Sequence, residues 1–468
     1  MIIAGLVFSS FLACLVLTPV IRNLFLRFGL VDLPDDIRKL HARPTPRSGG
    51  IAIVLACAVS LGCGYLLLPA GAVIYIQHRV LLTAVLPATL LMFAVGVADD
   101  LADLRPRFKL LGQCAAAVCA VLLGAHLTLP HAPVWLSAII SVVWLLACTN
   151  AVNLIDGMDG LASGVSLLAA VTTLAVAVLH HNFGLMLATA PLVGALFGFL
   201  RYNFAPASVF LGDAGSLTIG FVLGCLGMVW TSHSDGLGLL GPLLALALPL
   251  IDVTLAISRR YLRRVPIFKA DRGHIHHRVL ALGFSTKHAT LILYGCCLIF
   301  AALALLQSFG KREYDIVVVV FFIIFILLGV RRLEYVEFRA VRHVLRNGAL
   351  RNIVADEINV QELQHELLAA STAEGCWKAL SRVCEDPHIS QVTLHIAGLE
   401  FKYRNALLNG VPTYSVHLPI GEDNSLTLSG SIHNTPRSMT TRLYQLHAAL
   451  TEKVLSLETG PHIVKKAA

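Results

Sequence analysis

Carboxylates in pairs and at regular spacing are the first residues in this chain that could do chemistry. In VGVADDLADLRPRFKLLGQ, Asp99 and Asp100 are adjacent, Asp103 follows one helical turn on, and Lys109 comes soon after. Adjacent carboxylates repel, so the pair needs a metal ion, a cationic side chain or a shared proton. In NAVNLIDGMDGLASG, Asn150, Asn153, Asp156 and Asp159 fall three apart, which stacks them on one face if the segment is helical. Gly157 and Gly160 in the same stretch permit an irregular turn or a close backbone approach. In FLGDAGSLTIGF, Asp213 stands among small residues where an apolar run begins. A carboxylate beside backbone amides at a helix start suits a metal–phosphate pair, the oxygen binding Mg2+ and the amides meeting phosphate. Plainer readings stand beside all three: an acidic helix end facing headgroups, turn-forming Asp and Gly, and a simple N-cap.

The stretch ADRGHIHHRV gathers His274, His276 and His277 between Arg272 and Arg278. Structural zinc sites take four ligands, commonly with cysteine among them, and no cysteine lies in 258–288. Were the stretch helical, His274 and His277 would share a face and His276 would point away. Three histidines amid so many cations suit an anion such as a diphosphate better than a divalent cation. The alternative is a polar loop near headgroups. A further stretch, VDLPDDIRKLHARPTPRSGG, holds Asp35, Asp36, Lys39, His41 and Arg47, and its Pro and Gly content fits an ordered loop.

What must position these groups is a set of membrane helices. The 468 residues are 56% apolar and 14% charged, with a mean hydropathy of +0.75. Soluble domains carry about 25% charge. Eleven long apolar runs explain the deficit, at about 2–21, 50–69, 79–97, 110–128, 133–150, 161–179, 183–200, 209–229, 238–257, 289–307 and 314–330. No basic residue precedes the first run, while Arg22 and Arg27 follow it. It therefore reads as a span with its N-terminus outside and not as a cleavable signal. With that orientation the inner loops hold seventeen Lys and Arg, and the outer loops two, with Arg79 at an edge; this is the positive-inside pattern. All the polar clusters fall on the inner, cytoplasmic side. The net charge of +8 is accounted for by loops beside anionic lipid and calls for no nucleic acid. The eleven cysteines form no CxxC pair and read as small buried apolar residues.

Near 335 the composition changes. Residues 340–370 read as helical and charged; QVTLHIAGLEFKYR, TYSVHLPI and SLTLSGSIH alternate as three strands; and 438–458 reads as an amphipathic helix. The fold class is thus an all-α polytopic membrane protein of about eleven transmembrane helices (1–332), followed by a cytoplasmic α+β domain (333–468) that regulates or docks.

Taken together the clusters resemble those of the polyprenyl-phosphate N-acetylhexosamine-1-phosphate transferases. The resemblance covers about 1–332, with all five motifs in the same order and on the same side. It implies transfer of a sugar-1-phosphate from a UDP-sugar to undecaprenyl phosphate in a bacterial inner membrane, with Mg2+ and with Mn2+ as a substitute. The family's adjacent-aspartate motif falls on Asp99 and Asp100, its Asn-x-x-Asp-Gly-x-Asp-Gly motif on Asn153, Asp156 and Asp159, and its Gly-Asp-x-Gly-Ser motif on Asp213. The resemblance implies Asp99, Asp100, Asp156 and Asp213 as the catalytic set, with Asp213 and Asp99 on the metal. It implies Lys39, His41, Lys109, Asn153, Asp159, Arg272, His274, His276 and His277 as substrate contacts. The family's peptidoglycan branch reads three consecutive histidines after Ala-Pro, whereas GHIHHR is similar to the branch that uses UDP-N-acetylglucosamine or a related sugar to initiate O-antigen and other envelope glycans. The competing readings are the same reaction with another UDP-sugar, and a transporter or receptor. A transporter would carry ionisable groups at mid-span, and none is evident. Whether Asp99 or Asp100 serves as base or as ligand stays open, as does a homodimer.

Overall fold

The structure, a computed structural model, describes residues 1–31, 45–67, 81–127, 132–231, 238–262, 266, 273–309, 312–333, 335, 363–384, 389–405, 413–420, 423–431, 447, 448, 450–452 and 454. It divides into two compact units, Met1–Glu337 and Phe338–Ala468.

The first unit is helical. Its helices are α1 (Ile2–Arg27), α2 (Gly49–Leu67), α3 (Leu86–Ala102), α4 (Pro106–Leu122), α5 (Val134–Ile155), α6 (Leu161–Leu179), α7 (Phe183–Asn203), α8 (Gly212–Thr231), α9 (Leu240–Ala245), α10 (Ala247–Leu262), α11 (Ile275–Ala281), α12 (Thr286–Ser308) and α13 (Arg312–Arg332). Among the described residues nine helices are long and apolar enough to cross a bilayer, which makes this a multi-pass membrane protein. Two of the eleven expected spans come out shorter. The run at 110–128 is α4, which stops at Leu122 because Gly124 takes φ +106° just beyond it. The run at 238–257 is split into α9 and α10 around Leu246. Pro249 has no N–H to give to the carbonyl of residue 245, which removes one helical hydrogen bond at the break.

Helix α8 is the axis of the unit. It is buried along most of its length, while α13 exposes nearly all of its apolar surface. Both α2 and α3 press onto the first turn of α8 at glycines. A Cβ on Gly50 would stand 2.2 Å from Gly215 N, and one on Gly96 would stand 2.6 Å from Ala214 Cα. Any side chain at either position would push the N-terminus of α8 away.

The second unit is α+β. Helix α14 (Ala373–Cys384) precedes β1 (Ile389–Ile396), β2 (Leu399–Arg404), β3 (Thr413–Ile420) and β4 (Asn424–Ser431), an antiparallel sheet of order β2-β1-β4-β3. One sheet face supplies the core with Val392, Leu394, Leu426 and Leu428, and α14 covers it with Cys376 and Leu380. There are four strands where the alternation suggested three. QVTLHIAGLEFKYR folds back on itself because Ala397 (φ 52°) and Gly398 (φ 75°) form a tight left-handed turn. Most of the helices expected at 340–370 and 438–458 lies outside the described residues.

Candidate active site

Helix α3 loses its apolar character at Asp99 and Asp100, and Asp103 closes it in a left-handed conformation, φ 43°. The Leu104 N–H donates to Asp99 Oδ1 at 2.9 Å. Helix α4 starts at once on Pro106, a position where a missing N–H is harmless. This tight reversal carries Lys109 back over the end of α3. Its ammonium lies 2.8 Å from Asp99 Oδ2, donates to Asp213 Oδ1 at 2.9 Å, and reaches Asn153 Oδ1 at 3.4 Å. Asn153 Nδ2 donates to Asp213 Oδ1 and to Ser216 Oγ at 2.9 Å. Four helix ends thus deliver three oxygen ligands around one cation. The two carboxylates differ in access: the Asp213 side chain is 25% exposed and that of Asp99 is 8%. An incoming cation would meet Asp213 first.

Asp100 turns the other way. Its two oxygens accept the N–H groups of Asp213 and Ala214, at 2.8 Å each. The neighbouring aspartates avoid mutual repulsion by this division, one on an ammonium and one on the positive end of α8. The sequence reading put phosphate on the amides beside Asp213. Two of those amides are already taken by Asp100.

The four residues spaced three apart do not share one helical face. Helix α5 ends at Ile155, and 156–160 is a turn in which Gly160 has φ 73°. Asn150 donates to Gln113 Oε1 at 2.8 Å. Asn153 joins the lysine cluster. Asp159 Oδ2 accepts the Ala207 N–H at 2.9 Å, bracing the loop between α7 and α8. Asp156 is half-buried in the turn. Burial, followed by the charges of Asp213 and Asp100, pushes its carboxyl up to about 8.

The histidine stretch is the start of α11. Asp252 on α10 holds it: Oδ2 lies 2.8 Å from His274 Nδ1, and Oδ1 accepts the Ile275 N–H at 2.7 Å. The Asp252 side chain is 1% exposed. His274 and His276 stack with centroids 5.8 Å apart, and His277 is tilted against His276 at 4.3 Å. His276 is buried, and neither ring nitrogen has a hydrogen-bond partner. Burial and the nearby His277 pull its pKa down to about 4, so the ring is neutral near pH 7. A neutral ring offers one N–H donor and no positive charge. What His276 packs on is the aspartate turn: a Cβ on Gly157 would stand 2.6 Å from His276 Nε2. Gly157→Ala is accordingly expected to cost about 1–3 kcal/mol by displacing α11. Thermal melting would check this, and a wild-type melting temperature would contradict it.

Asp99, Lys109, Asn153 and Asp213 are brought into direct contact, with Asp100 behind them. His276, in ring contact with His274 and His277, packs on Gly157, the residue after Asp156. Lys39, His41 and Arg272 lie outside the described residues. Among the described residues no three His, Cys, Asp or Glu side chains converge as a metal cage. Sequence reasoning missed Asp252. The available signal was a single carboxylate inside the apolar run ALALPLIDVTLAIS, since an ionisable group in such a run needs a partner.

The chain is similar to known proteins. Residues 82–231 match the family model described as Glycosyl transferase family 4. A Bacillus subtilis protein called probable undecaprenyl-phosphate N-acetylglucosaminyl 1-phosphate transferase is 33% identical over 329 residues, covering 68% of this chain and 87% of the relative. A decaprenyl-phosphate N-acetylglucosaminephosphotransferase of Mycolicibacterium smegmatis is 34% identical over 306 residues, 58% of this chain and 74% of the relative. A phospho-N-acetylmuramoyl-pentapeptide-transferase of Caldicellulosiruptor bescii is 29% identical over 323 residues, 63% and 94%.

Proposed function

This chain belongs to glycosyl transferase family 4, and from that premise we propose that it moves N-acetylglucosamine-1-phosphate from UDP-N-acetylglucosamine to undecaprenyl phosphate, releasing UMP. The observation that carries the proposal is the convergence of Asp99, Asn153 and Asp213 on Lys109, with the histidine helix seated on the adjoining turn. An oxygen of the acceptor phosphate attacks the sugar-bearing phosphorus of the donor. The bond from that phosphorus to the oxygen bridging the two phosphates breaks, and UMP leaves with the electron pair. Both reactants are anionic, so the protein's task is to neutralise and align them. A phosphate monoester has its second pKa near 6 and is largely dianionic at neutral pH, so no general base is required. Asp99, already bonded to Lys109 and the Leu104 N–H, suits a fixed positioning role better than a proton-accepting one.

The donor set fits Mg2+ or Mn2+, which take hard oxygens and one or two protein carboxylates and leave positions for substrate phosphates. Asp213 would hold the ion, with Asp99 as second ligand, and the ion would offset charge between the two phosphates. Asp156 would tune its binding. At pH 7 the Asp156 carboxyl, pushed up to about 8, keeps its proton, and a cation bound nearby would compete with that proton. Apparent Mg2+ affinity is expected to rise from about pH 7 to about pH 9 as the proton is lost, and Asp156→Asn to flatten the profile. A flat profile in the wild-type protein, measured by Mg2+ titration, would contradict this.

His274, His276 and His277, with Arg272, are assigned to the donor diphosphate. The loop charges support a bacterial inner-membrane orientation with the site and residues 333–468 in the cytoplasm. There the product would start an O-antigen-like envelope glycan, and the second unit would regulate or dock. Purified protein given undecaprenyl phosphate, Mg2+ and separate UDP-sugars tests the choice of sugar through the product mass. Preference for UDP-N-acetylglucosamine is expected. Exclusive use of a muramoyl-pentapeptide donor would overturn it.

A further inference from the structure

Tyr335 lies three residues beyond Arg332, the end of α13, and three before Phe338, where the second unit begins. A tyrosine just past a spanning helix ordinarily sits among headgroups. This one is 1% exposed, and it heads the fully buried side chains by size among the described residues. Two guanidiniums cover it. Arg259 Cζ on α10 and Arg278 Cζ on α11 each stand 4.9 Å from the ring centroid. Arg259 is buried and lies against the backbone of Gly273, where a Cβ would stand 2.8 Å from Arg259 Nε. The ring therefore touches the histidine stretch from both ends. It reaches residue 273 through Arg259, and it meets residue 278 directly. Each guanidinium is attracted by the negative face of the aromatic ring.

We propose that Tyr335 is a positioning residue of the donor site, clamping the histidine stretch through Arg259 and Arg278 and so raising affinity for the UDP-sugar. This rests on the assignment of that stretch to the donor diphosphate. Linkage is reciprocal: whatever factor the docked ring adds to donor affinity, the donor adds to docking of the ring. The segment around 335 should therefore tighten when the donor binds.

The test uses full-length protein with Tyr335→Phe, Tyr335→Leu and Tyr335→Ala. Phe keeps the ring face, Leu keeps apolar bulk without it, and Ala removes both. The KM for UDP-N-acetylglucosamine should rise about tenfold in Leu and Ala and stay near wild type in Phe, with the KM for undecaprenyl phosphate unchanged. In the wild-type protein, UDP-N-acetylglucosamine should slow amide exchange at Tyr335. Leu behaving as Phe would overturn the proposal, because the ring would then be mere filling. Equal rises in both KM values, or exchange indifferent to donor, would overturn it too. Should Ala fail to fold, the Phe and Leu variants decide. A wild-type protein that binds no UDP-sugar would instead overturn the functional reading beneath it.

Discussion

Asp213→Asn is expected to cut turnover by on the order of 10³-fold, several kcal/mol of transition-state stabilisation, while leaving the protein folded in detergent. Asparagine has the same shape, and its oxygen can still accept from Lys109 and Asn153, which now bond to Asp213 Oδ1. What it lacks is the charge that would hold Mg2+. The backbone N–H at 213 stays on Asp100, so α8 keeps its start. Raising Mg2+ should not restore the rate. Near-normal turnover at saturating Mg2+ would remove Asp213 from the metal.

Asp252 should give the next largest loss. It is almost fully buried and holds both His274 Nδ1 and the Ile275 N–H. Asp252→Ala leaves both without an acceptor and is expected to cost about 3 kcal/mol of stability. Asp252→Asn keeps the volume, but its amide can accept at only one of the two positions. It must point its NH2 at the other, which displaces the α11 N-terminus or forces His274 into the opposite tautomer. A loss of about 10- to 100-fold in kcat/KM for the UDP-sugar is expected from that change, with a smaller loss of stability than in Ala. Chemical denaturation and kinetics on the two variants separate these effects. An Asn variant with wild-type kcat/KM would show that the pair does not position the loop.

The parts of the site that were legible in the sequence are those where local chemistry decides. A carboxylate pair ending an apolar run, or an aspartate opening one, has few places to go, and Asp99, Asp100 and Asp213 stand at helix ends as expected. What the sequence could not supply was the choice of partners. Asp99 and Asp100 read as equivalent, yet one faces Lys109 and the other caps α8, because Gly96 lets α3 and α8 meet. The aspartate stretch at 150–159 carries a helical spacing, but Gly157 and Gly160 end the helix before the spacing can act. Asp252 was hidden for a different reason. A lone acid in an apolar run declares that it has a partner without saying which, and His274 is 22 residues away. Tyr335 was illegible for the same reason, since its burial depends on two arginines 57 and 76 positions earlier in the chain.

On the proposed function a phosphosugar moves, and not the sugar alone. UDP-N-acetylglucosamine labelled at the phosphorus attached to the sugar separates the two cases. With undecaprenyl phosphate, Mg2+ and purified protein, label should pass into the lipid while unlabelled UMP is released in equal amount. Label retained in UDP, with the sugar alone on the lipid, would mean attack at carbon and would contradict the account.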